Sequence, residues 1–105
     1  MNLKKAQKIA LKFDRERKFD KMRASNVFVH LVEELGEIGR HINFEENYKK
    51  VEFGNSPNIN KNELEREFAQ VFKLFIQLVN HYKIDLEEAF IAELKIMEKR
   101  FKKRN

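Results

Sequence analysis

The sequence contains no cysteine. Disulfides and thiolate metal sites are therefore excluded outright. The absence is compatible with a reducing cytoplasm, the compartment expected here. One proline and three glycines among 105 residues leave few chain breakers. Combined with 37% charged residues, that scarcity favours helices. No apolar run approaches the roughly 20 residues of a membrane-spanning helix, so no membrane partner is expected. The opening "MNLKKAQKIALKF" is basic and partly apolar. It lacks the continuous apolar core and small-residue cleavage site of a secretory signal.

Core-building material is plentiful. Hydrophobic residues make up 42%, with 10 phenylalanines, and the length corresponds to one domain spanning residues 1–105. Lys and Arg outnumber Asp and Glu by 22 to 17, a formal charge of +5. Such an excess attracts nucleic acid, anionic lipid or phosphorylated small molecules. Much of it sits in the terminal "KRFKKRN".

Periodicity predicts four helices and no strand, hence an all-α four-helix bundle. The first runs from about Leu3 to Asp20, on Leu3, Ala6, Ile9, Ala10 and Phe13. The second covers about Asn26 to Ile42, with Ser25 or Asn26 as N-cap. Its apolar stripe is Phe28, Leu31, Leu35, Ile38 and Ile42. Gly36 and Gly39 are unusual inside a helix and point to close packing or ligand approach. Residues 43–61 read as a loop around "GNSP". The third helix starts after Asn60 or Asn62 and runs to about Tyr82. Its wide apolar face includes Leu64, Phe68, Val71, Phe72, Phe75, Leu78 and Val79. A face that wide implies more than one neighbour, so a homodimer or homotetramer is expected. The fourth helix starts at Asp85, where Asp85 and Glu88 have capping-box spacing. Leu86, Ala89, Phe90, Leu94, Met97 and Phe101 are expected to line its inner side.

The stretch "HLVEELGEIGRH" carries the chemistry. At about 100° per residue, His30, Glu34, Glu37 and His41 fall within roughly 60° of one another. Glu63, Glu67, Gln70, Gln77 and His81 form a second polar row on the third helix. If the two helices pack antiparallel, the rows meet across a groove. Converging carboxylates need a counter-charge, and a hard cation such as Mg²⁺ suits oxygen donors. A solvated charged face is the plainer account of either acid pair taken alone. Isolated histidines are more often boundary residues, and hard cations do not favour imidazole.

These residues resemble a known family. "LVEELGEIGRHI" followed by "ELEREFAQVFKLFIQLVNHYKIDLEEAF" is similar to the MazG-like all-α nucleoside triphosphate pyrophosphohydrolases. The family pattern is E-x-x-E on one helix and E-x-x-D on the next. Glu34 and Glu37 match the first pair, Glu67 matches the first acid of the second, and "IDLEEA" matches Ile84 to Ala89. The similarity covers about Leu3 to Phe101, with the loop poorly matched. It implies hydrolysis of an NTP or dNTP to the monophosphate and pyrophosphate, dependent on Mg²⁺ or Mn²⁺. It also implies metal ligands at Glu34, Glu37, Glu67 and Gln70, a substrate contact at Arg100, and assembly as dimers or larger.

The sequence departs from the pattern at three positions. Gln70 stands where the family has Asp, and Glu93 and Met97 stand where many members carry Lys and Asn. Glu63, one turn before Glu67, is a substitute for the missing acid if the local geometry differs. The departures motivate a second reading, a catalytically impaired relative acting as a nucleotide- or protein-binding helical module. A third, a nucleic-acid-binding module, rests on Lys99, Arg100, Lys102, Lys103 and Arg104. Solubility and a frayed terminus explain those charges more simply.

Overall fold

The computed structural model describes residues 1–46 and 60–104. Among these residues the chain is all-helical: α1 (Leu3–Glu16), a 3₁₀ turn (Phe19–Lys21), α2 (Ala24–Glu45), α3 (Lys61–His81) and α4 (Leu86–Arg100). The expected loop at 43–61 loses residues 43–45 to α2, and Lys61 opens α3; residues 47–59 lie outside the described residues. None of the described helices is long and apolar enough to cross a membrane. The chain divides into two compact units, Met1–Met22 with Ile76–Asn105, and Arg23–Phe75.

In the first unit, α1 opens on Asn2, whose side chain accepts the Lys5 N–H at 2.9 Å, the usual repair for an unsatisfied first-turn donor. The helix stops at Glu16, four residues before the expected end. Lys18 adopts a left-handed conformation at φ 62°, and its N–H turns back to the Arg15 carbonyl.

The corner between α3 and α4 is a Schellman turn. The Lys83 N–H reaches the Asn80 carbonyl at 3.0 Å, and the Ile84 N–H reaches the Val79 carbonyl at 3.4 Å. Lys83 holds the left-handed position, φ 56°, where glycine is usual. Asp85 then caps α4 by accepting the Glu88 N–H at 3.0 Å, as the capping-box spacing predicts. Glu88 lies 3.5 Å from the Lys4 ammonium, which also pairs with Asp85 at 3.4 Å.

Gln7 locks α1 to this corner. Its amide nitrogen donates to Asn80 Oδ1 at 3.0 Å and to the Ile84 carbonyl at 2.8 Å. Its amide oxygen accepts the Leu86 N–H at 2.8 Å. Asn80 donates in return to the Gln7 carbonyl at 3.1 Å. Every polar atom of the buried Gln7 amide is thereby used, as burial requires. A second buried amide, Gln77, donates to the Phe19 carbonyl at 3.1 Å, which ties the 3₁₀ turn to α3.

α4 differs from its expectation. None of its residues is buried, and Phe90, Leu94, Met97 and Phe101 are exposed. The expected inner side finds cover only at Leu86, which is half-buried.

In the second unit, α2 begins at Ala24, one to two residues before the expected caps. The Val27 N–H already reaches the Arg23 carbonyl at 3.2 Å, closing a helical turn there. Ser25 and Asn26 therefore sit inside the first turn. α3 starts as predicted, because Asn60 Oδ1 accepts the N–H groups of Asn62 and Glu63. A Cβ added at Gly36 or Gly39 would meet nothing within 4 Å, so neither glycine marks a close approach among the described residues.

The buried stripe of α2 is rotated from the expected one. Val27, Leu31 and Ile38 are buried, whereas Phe28, Leu35 and Ile42 are exposed. The shielded line steps by four and three through Val27, Leu31, Glu34, Ile38 and His41. Two polar residues therefore occupy core-facing positions of a helical stripe.

Candidate functional site

The facing stripe on α3 runs through Leu64, Glu67, Val71 and Leu74, all partly buried. It has the same three-four spacing as the α2 stripe, and one polar residue interrupts it. The side chains of Glu34, His41 and Glu67 are only 22%, 24% and 19% exposed. Both stripes thus expend a shielded position on a charge, which costs free energy unless the charge is compensated.

Compensation is incomplete at Glu67. His41 Nε2 lies 3.3 Å from both carboxylate oxygens, but only Oε1 has hydrogen-bond geometry. Oε2 is buried and accepts no hydrogen bond among the described residues. A buried carboxylate oxygen without a donor leaves a negative lone pair that a cation or proton would stabilise.

The pairing fixes the direction of the two helices. His41, late in α2, meets Glu67, early in α3. His30 and Glu34, earlier in α2, share a groove with Ala69, Gln70, Lys73 and Leu74, later in α3. The two helices therefore run antiparallel, the condition under which the rows could meet, and they do so at His41 with Glu67 and around Glu34 with Gln70. The groove is open to solvent and has a volume of about 530 Å³, within the range of small-molecule sites.

Each candidate ligand has a definite place. Glu34 and Gln70 line the groove together, and His30 Nε2 stands 3.4 Å from Glu34. Glu67 sits one turn from Gln70, against His41. Glu37 is nearly half exposed and bonds Arg40 at 2.8 Å. Arg100 lies on the last turn of α4, in the other unit, with its guanidinium 5.2 Å from the Phe101 ring. Among the described residues, no three or more acid and imidazole side chains gather in a metal-holding group.

The donor types are those a hard divalent ion takes, but they are not gathered around one point among the described residues. Three carboxylates and one carboxamide stand on facing helices, and one of their oxygens is buried without a donor. His41 and Lys73 were absent from the expected ligand and substrate set. His41 had a signal, since it falls on the same helical side as Glu34. Lys73 had one too: it is the single cation in the Phe-rich stretch Phe68–Phe75. No family model, no curated protein and no solved structure matches this chain.

Proposed function

We propose that this chain is a divergent MazG-like nucleoside triphosphate pyrophosphohydrolase, acting at the groove of the α2–α3 unit. The observation that carries the reading is the shielded Glu67 carboxylate with its donor-less Oε2, on a helix face whose next turn supplies Gln70 to the groove that Glu34 lines. Glu34, Glu37, Glu67 and Gln70 would hold the metal. A bound Mg²⁺ or Mn²⁺ would neutralise phosphate charge and activate water for attack on phosphorus.

The chain's own residues do the rest. Lys73 in the groove wall attracts the polyphosphate as a compact positive charge. Ala69 and Leu74 present apolar surface beside it. His41 holds Glu67 Oε1 and so orients the carboxylate. Arg100 is not among the residues lining this groove. The exposed Phe68, Phe72 and Phe75 of α3 support assembly as a homodimer or homotetramer.

The test is release of pyrophosphate from a panel of NTPs and dNTPs with Mg²⁺ or Mn²⁺. Glu34→Gln and Glu67→Gln should each abolish turnover while circular dichroism stays unchanged. No turnover with any nucleotide and metal would refute the enzymatic reading.

A second reading is favoured by a different observation. Glu34, Glu37 and Glu67 each stand beside a basic or imidazole side chain of their own. A catalytically impaired relative that binds a nucleotide or protein would need no metal cluster. Calorimetry separates the two readings: nucleotide binding without pyrophosphate release favours the binding module.

A further inference from the structure

α1 touches α4 at its first turn, through Gln7 and Lys4. Every residue from Glu88 to Arg100 is exposed, yet Phe90, Leu94, Met97 and Phe101 recur by four, three and four. That spacing is the seam of a helix pair, in which apolar residues face the partner helix at alternating three- and four-residue steps. The four side chains are 52%, 40%, 43% and 60% exposed. They form a continuous strip of a kind that monomers seldom leave open to water.

The charges beside the strip identify the occupant. Glu93 and Arg100 flank the seam on one side, seven residues apart and so at equivalent positions. Neither has an ion-pair partner among the described residues. In an antiparallel pair of α4 helices, Leu94 faces the second copy's Met97, and Phe90 faces the second copy's Phe101. The same register sets Glu93 opposite the second copy's Arg100, and Arg100 opposite the second copy's Glu93. Two opposite-charge contacts then line one edge of a self-complementary interface, related by its two-fold axis. A parallel pair instead brings Glu93 towards the second copy's Glu98, which repels it. The charge pattern therefore selects both the partner and its direction.

We infer that α4 is a dimerisation helix that pairs antiparallel with α4 of a second copy through Phe90, Leu94, Met97 and Phe101, with Glu93 and Arg100 setting the direction. This deepens the assembly proposed above and rests on it only for the existence of a dimer. Both charged residues are exposed, so reversing either leaves the fold in place, and circular dichroism checks this.

The experiment measures mass by light scattering and sedimentation at micromolar full-length chain. Wild type is expected to be a dimer or a multiple of it. Glu93→Arg and Arg100→Glu each create two like-charge contacts and should weaken self-association by about tenfold or more. An equimolar mixture of the two variants restores opposite charges at both contacts, so it should recover association as a mixed dimer. A monomeric wild type overturns both the assembly and the α4 pairing. A dimer indifferent to both reversals overturns the α4 pairing alone. Weakening without recovery in the mixture overturns the antiparallel direction.

Discussion

Replacing Gln7 with alanine removes the buried side chain that joins α1 to the corner between α3 and α4. Three hydrogen bonds disappear together: to Asn80 Oδ1, to the Ile84 carbonyl and from the Leu86 N–H. Each is worth about 1 kcal/mol net in a folded protein. Gln7 is 9% exposed, so water replaces its amide poorly, and the orphaned groups keep part of their desolvation penalty. The Gln7→Ala variant should therefore lose about 3 kcal/mol of unfolding free energy. That is a large share of the 5–15 kcal/mol or so typical of a domain. Gln7→Glu should recover little, although it is isosteric. It keeps an acceptor for the Leu86 N–H but turns a carboxylate oxygen towards the Ile84 carbonyl. Urea unfolding followed by far-ultraviolet circular dichroism measures both, at one fixed protein concentration because association shifts apparent stability. An Asn80→Ala variant and the double variant complete a cycle, in which the losses should fall short of additive. A loss below about 1 kcal/mol for Gln7→Ala, with helicity unchanged, would refute the idea that this amide clamps the corner.

Two further outcomes follow from the same corner. Lys83→Gly relieves a left-handed conformation at φ 56°, which costs a non-glycine residue about 1–2 kcal/mol. Glycine's greater freedom when unfolded offsets part of that gain, so a net stabilisation of about 0.5–1 kcal/mol is expected, read as a raised melting temperature. The carboxyl of Asp85 is held below its ordinary 3.8, first by the Glu88 N–H that it accepts. A depressed folded value means stability that is present above 3.8 and lost as pH falls through the folded value. Lys4 is raised above 10.5, chiefly by the Asp85 charge, so its contribution is present below 10.5 and lost as pH rises through the folded value. Asp85→Asn keeps a capping oxygen but removes the charge. It should flatten the acid limb of the stability profile, and an unchanged acid limb would contradict the assignment.

Much of the local architecture was legible in the sequence. Scarce breakers and three-four periodicity called for four helices. Asp85 marked one start, and Asn60, one of the two offered for α3, marked another, because a side-chain acceptor at an N-cap is a short-range interaction that needs no tertiary partner. Helix ends were less legible. α1 stops at Glu16 because Lys18 turns left-handed, and lysine carries no warning of that. The polar rows were legible as well: His30, Glu34, Glu37 and His41 share a side through 100° steps alone.

Other features were decided only by the tertiary structure. The shielded stripe of α2 includes Glu34 and His41 and omits Leu35 and Ile42, a rotation that hydrophobicity alone predicts wrongly. Periodicity gives the angle between residues on a helix. It does not give the angle from which a neighbour arrives, and Glu67 opposite His41 sets that. Likewise, an apolar strip on α4 says only that something must cover it. Its four members stay exposed among the described residues. The sequence determines which faces exist, because spacing is covalent. The tertiary structure decides which faces meet, because that choice depends on contacts between residues far apart in the chain.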